Sequence, residues 1–241
     1  MKQLIYNNMK TYILPLLMMM LISCSNSKTQ ENESTTVPLP EGKEIYIPKD
    51  LRSMDLQDPE SKWSYHRMAC TENFVIFWEK GFGDNLSDPP QLEGHSMKVN
   101  LKNLEEKLEH FYHYFYHTLQ FAKTGSKCDK YRMMVMINYS LEGTAYGGDY
   151  DGEIGALWIA PNRVQDEKLN CIAHELGHSF QLQMIADGSD GWSGGAGSGF
   201  YEMTSQWMLW QVNPNWMTEE QYHWDAFKQA THKAFLHTDN I

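Results

Sequence analysis

The chain has 241 residues, a formal net charge of −11, and four cysteines. A balance this acidic argues against nucleic acid and against a polybasic contact with membranes. The length leaves room for one domain with a sizeable core.

Residues 1–23 read as a secretory signal peptide. Lys2 and Lys10 precede an apolar run from Tyr12 to Ile22 that is too short to span a bilayer. The run ends in Leu21-Ile22-Ser23-Cys24, which resembles the bacterial lipobox and implies lipidation of Cys24. Cleavage would remove two lysines and no acid, taking the charge from −11 to −13. Membrane contact is therefore expected through the N-terminal lipid only, at the outer membrane or cell surface and outside the cytoplasm. Ser25 to Lys43 is rich in Ser, Thr, Asn, Glu and Pro, so residues 24–50 read as a flexible tether and 51–241 as the folded domain. Cys70, Cys128 and Cys171 remain, enough for at most one disulfide; a Cys70–Cys128 bridge is the open option, and Cys171 reads as a buried small residue.

Phe74-Val75-Ile76-Phe77-Trp78 has the continuous apolar character of a buried strand, and Gly81 to Gly94 reads as a loop. A long helix is predicted over Asn100 to Lys123, with Leu101, Leu104, Leu108, Phe111, Phe115 and Leu119 on one face. His110, His113 and His117 lie on it too; with no carboxylate placed to complete a cluster, they read as solvent-facing or packed. Tyr131 to Tyr139 is a second strand, Gly143 to Gly152 a glycine- and aspartate-rich turn, and Glu153 to Ala160 a third strand closed by Pro161.

The next helix carries Ala173-His174-Glu175-Leu176-Gly177-His178-Ser179-Phe180-Gln181. Residues four apart stack on one helical face, so His174 and His178 can present two imidazoles to one metal ion. Glu175 sits about 100° round the helix, where it reaches a water on that metal without ligating it. Leu169, Ile172, Leu176 and Phe180 form the apolar stripe that seats the helix, and Gly177 admits a close neighbour. A catalytic zinc takes three protein ligands and leaves a position open. Asp187 to Gly199, with six glycines, reads as a loop able to fold the chain back, and Glu202 is the first glutamate after Glu175. Glu202 opens a helix over Phe200 to Trp210 that is otherwise poor in charge, where an unpaired carboxylate is costly to bury, which makes it the candidate third ligand. A last helix is predicted after Pro214, with a Thr218–Gln221 capping box and Trp224 and Phe227 toward the core.

His174-Glu175-x-x-His178 followed by Glu202 resembles the gluzincin zinc metallopeptidases, whose third ligand is a glutamate on the next helix. Gly177 and Gln181 add a likeness to enhancin-like, mucin- and glycoprotein-cleaving peptidases. The segment Gly199-Phe200-Tyr201-Glu202 through Gln206-Trp207-Met208 is similar to gluzincin-like domains of bacterial surface lipoproteins. The resemblance spans roughly Trp63 to Trp216. It implies an α+β, zincin-like fold: a small mixed sheet with the long helix and the motif helix, above a helical lower part. It implies Zn2+, His174, His178 and Glu202 as ligands, Glu175 as general base, and amide hydrolysis in a protein or glycoprotein substrate. In zinc peptidases the strand ahead of the motif helix often forms the cleft edge, a role this would give to residues 154–159.

Two departures stand out. Gln206 occupies the position, four after the glutamate ligand, where many gluzincins place an acid to hold the first histidine, and the gap from His178 to Glu202 is long. The oxyanion donor is left open among Tyr146, Tyr201, Tyr222 and His223. Against that resemblance, the end at Ile241 is expected to fall short of the helical subdomain that walls the far side of a peptidase cleft. Gln206 and that stop favour the alternative, a non-catalytic binding domain on the same zinc scaffold; intact Glu175 favours the enzyme. A zinc amidohydrolase acting on cell-wall or glycan amides is a third option.

Overall fold

Five strands build one mixed sheet in this computed structural model, which describes residues 36–189 and 199–214 together with positions 225, 228, 229 and 231. The signal peptide, Cys24, most of the glycine-rich loop, Tyr222, His223 and nearly all of the last helix lie outside the described residues. The strands are β1 (Met68–Cys70), β2 (Phe74–Trp78), β3 (Met133–Ile137), β4 (Ala145–Tyr150) and β5 (Ile154–Ile159), in spatial order β1-β2-β3-β5-β4. Strands β2, β3 and β5 run parallel, with Ile76 opposite Val135 and Val135 opposite Leu157. β1 and β4 are antiparallel to their neighbours. Every residue of β2 and β3 is buried, as unbroken Val, Ile, Met and Phe runs require of parallel strands covered on both faces.

β4 corrects the sequence reading, which gave Gly143 to Gly152 as a turn. Only its last part is one: Asp151 and Gly152 take φ of +60° and +67°, and Glu153 N–H bonds to the Tyr150 carbonyl at 2.9 Å. That is the type I′ Asp-Gly hairpin, whose twist matches the strands it joins. β5 is therefore interior, between β3 and β4, and among the described residues the edge strand on that side is β4, not residues 154–159. β1, three residues long, went unread.

α1 (Leu101–His113) begins where Asn100 caps the Asn103 N–H, and Leu104, Leu108 and Phe111 are buried as the stripe requires. It ends earlier than Lys123, passing into a π-helical turn over Tyr114–Thr118. His110, His113 and His117 are exposed, as expected, but the Glu109 carboxylate lies 3.9 Å from His113, a neighbour the sequence reading did not foresee. α2 (Asn170–Ala186) carries the two-histidine motif and α3 (Gly199–Val212) follows. Phe180 of α2 packs edge-on against Tyr112 and Phe115, joining it to α1 and the turn after it.

The ordered chain starts well before Leu51. Glu44 bridges to Tyr131, and the buried Arg132 guanidinium donates to the carbonyls of Glu41, Lys43 and Thr71. Lys43 Nζ reaches Asn73 at 2.5 Å and the Tyr112 hydroxyl at 3.2 Å. The C-terminal part of the expected tether is thus a strap bound to the domain. Neither Cys70 nor Cys128 is in a disulfide. No helix of the described residues is long and apolar enough to cross a membrane.

Candidate metal centre

α2 is seated by Ile172, Ala173, Leu176 and Phe180, all buried, and this turns His174 and His178 to one side, one turn apart. Their rings stand edge to face at 4.7 Å, with the two Nε2 atoms 3.1 Å apart. α3 packs directly on this helix because Gly177 has no side chain. A Cβ there would lie 2.5 Å from Ser205 Oγ and 3.2 Å from Ser205 Cα. Ser205 Oγ in turn donates to the His174 carbonyl. With the helices so close, Glu202 Oε2 falls 3.2 Å from each histidine Nε2.

His174, His178 and Glu202 thus form a group that could hold a metal ion, their ligand atoms all within 4.8 Å of one another. Three ligands on a tetrahedral zinc, each ~2.0–2.1 Å from it, stand ~3.3 Å apart, close to the 3.1–3.2 Å seen here. The donor set agrees. Gln206 Oε1 lies 2.9 Å from His174 Nδ1, and Gln181 Oε1 lies 2.8 Å from His178 Nδ1. A neutral imidazole donating from Nδ1 keeps a lone pair on Nε2. Two such lone pairs and a carboxylate oxygen then face one point, an arrangement that calls for a cation.

The charges respond to this crowding. The two histidines, each with Nε2 3.2 Å from Oε2, hold the Glu202 carboxyl well below the ordinary carboxylate range. Burial works to lower the His174 imidazole, but its bond to Glu202 and the charges of Glu175 and Glu202 outweigh it, and the group is raised. Burial raises the Glu175 carboxyl, opposed by the two histidines and by the Gly147 N–H, which donates to Oε2 at 2.8 Å.

The sequence reading brought together His174, Glu175, His178, Glu202 and Gln206, and all five meet here. It did not foresee the contacts of three neighbours. Gln181, noted only for family likeness, joins His178 to the Tyr201 carbonyl, 2.9 Å from its Nε2. Tyr201 stacks on the His178 ring at 4.3 Å and 8°. Gly147 holds Glu175. The spacing of Gln181, three residues after His178 on the same helix, was a usable signal; Gly147 lay in a stretch read as a turn. Cys171 is half-buried and stands outside the metal-holding group. Of the oxyanion candidates within the described residues, Tyr201 is buried and Tyr146, on β4, is 53% exposed. The phenol of Tyr201 is raised by burial and then by nearby Tyr146, Glu202 and Glu175.

Residues 39–241 match the family model described as a family of unknown function, DUF6055, and the chain belongs to that family. No curated protein and no solved structure matches it.

Proposed function

We propose that this member of a family without an assigned activity is a zinc-dependent endopeptidase of the gluzincin type with a zincin-like fold. In this reading it is anchored by a lipid on Cys24 and acts on proteins or glycoproteins outside the cytoplasm. The observation that carries the proposal is the convergence of His174, His178 and Glu202 on one point, with the Glu175 carboxylate fixed beside it. Zinc held by those three residues would supply a Lewis acid for the scissile carbonyl and make the attacking water more acidic. Glu175 takes the proton of that water and returns it to the leaving amine. Gly147 occupies Oε2, which leaves Oε1 to do so. A carboxyl raised by burial suits a base that must hold a proton between two steps. Backbone groups on the outer edge of β4, apart from the Gly147 N–H that Glu175 takes, are ones with which an extended peptide can pair, and Tyr146 and Tyr201 are the candidate donors to the developing oxyanion.

The test is metal content and cleavage of casein or mucin for wild type, Glu175→Gln and Glu202→Ala. Wild type should retain one zinc per chain and release fragments. Glu175→Gln should keep the zinc and lose at least about 100-fold in rate, and Glu202→Ala should lose most of its zinc on dialysis. Zinc retention by Glu202→Ala would remove the third ligand from the proposal. Tightly bound zinc with no cleavage of either substrate would point instead to a binding domain on a metal scaffold.

A further inference from the structure

We infer that Gln181 is a positioning residue for metal binding, which fixes the tautomer of His178 by reading the backbone of the helix that carries Glu202. The inference deepens the metal-centre reading and rests on it for its effect on affinity, though not for the tautomer itself.

A carbonyl oxygen can only accept a hydrogen bond. The Tyr201 carbonyl oxygen lies 2.9 Å from Gln181 Nε2, so the amide must turn its NH2 toward Tyr201 and its oxygen the other way. That oxygen then faces His178 Nδ1 at 2.8 Å, and an oxygen can only accept from it. His178 must therefore carry a proton on Nδ1, which makes Nε2, the atom facing Glu202 and His174, the one left to ligate. Gln181 is fully buried, so neither contact can be exchanged for water. The same amide ties α2 to the residue just before Glu202. One side chain thus sets the protonation of the second ligand and the place of the third. Tyr201 supports the arrangement from the side, its ring flat against His178.

The two ends of the amide can be separated. Gln181→Met keeps the volume and removes both bonds. Gln181→Glu keeps an acceptor for His178 but sets a second acceptor against the Tyr201 carbonyl. Nitrogen NMR of the full-length, metal-free protein with labelled histidine reads the tautomer directly. His178 should be Nδ1-protonated in wild type and Gln181→Glu, and should drift toward the ordinary mixture in Gln181→Met. Competition with a zinc chelator should find Gln181→Met ten- to a hundredfold weaker than wild type, and Gln181→Glu weakened through displacement of Glu202 alone. Near-ultraviolet circular dichroism checks that each variant is folded, and the shape-conserving Gln181→Glu keeps the test alive should the methionine variant fail. An unchanged tautomer with unchanged affinity in Gln181→Met overturns the inference while leaving the metal centre standing. A tautomer that follows Gln181 in a protein that takes up no zinc supports the positioning and overturns the metal centre.

Discussion

His174 and His178 are held by different means, although each gives its Nδ1 proton to a glutamine. The amide of Gln181 is engaged at both ends, whereas Gln206 accepts from His174 with its oxygen and leaves a buried Nε2 without a partner among the described residues. A buried donor left unpaired costs about 1–3 kcal/mol, so Gln206 is an imperfect support. Replacing it by glutamate removes the orphaned donor and puts a stronger acceptor on His174, the arrangement familiar from carboxylate–histidine–zinc triads. The expected result is zinc affinity raised about tenfold in Gln206→Glu by chelator competition. The gain should come with a lower melting temperature for the metal-free protein, because the new carboxylate joins Glu175 and Glu202 in one crowded place. Equal affinity in the two proteins would mean that the amide already orients His174 as well as a carboxylate can.

At the scale of elements, what was legible in the sequence is what repeats with a period. The buried run of β2, the stripe of α1 and the i, i+4 histidines of α2 each announce themselves by spacing. Glu202 was found because a carboxylate has few reasons to open an apolar helix. β4 was missed because Gly147 and Gly148 look like a turn, and the reason Gly147 is glycine lies 28 residues away in sequence. A Cβ on Gly147 would come within 1.7 Å of the Glu175 backbone oxygen, where no flexible group can yield. The strand therefore lies directly on the motif helix, near enough for its N–H to hold the Glu175 carboxylate. Gly147→Ala should force β4 off α2 at a cost of about 1–3 kcal/mol, read as a shift in the denaturant midpoint. Because β4 carries none of the three ligands, zinc affinity should hold within a few-fold while cleavage falls by an order of magnitude or more. A variant that loses zinc and activity together would show that the strand supports the ligands and not the base.

Over the whole molecule, the question is how far the fold depends on chain that composition marks as a tether. The chain up to Lys43 is polar and offers little to bury, which is why it reads as unstructured, yet Ile45, Tyr46 and Ile47 just beyond it pack against the core. Among its contacts are ones that composition cannot reveal, since Arg132 is held by backbone carbonyls. Arg132, 4% exposed, takes two of its three carbonyl acceptors from Glu41 and Lys43. Farther along, the Tyr46 hydroxyl and the Lys49 N–H each bond Asp151 at 2.8 Å, in the turn that joins β4 to β5. The strap therefore grips the start of β3 and the tip of the hairpin whose edge strand faces the metal centre. A protein beginning at Leu51 would leave a buried guanidinium short of two partners, each worth about 1–3 kcal/mol, and would release the hairpin tip. Urea denaturation should find it at least about 2 kcal/mol less stable than one beginning at Thr36. Arg132→Met made in both proteins separates the two effects: in the shorter one it removes the orphaned charge, and in the longer one it leaves the Asp151 contacts in place. If Arg132→Met restores most of the stability to the shorter protein, the strap acts through that one buried cation; if it restores little, the hold on the hairpin is what the strap contributes.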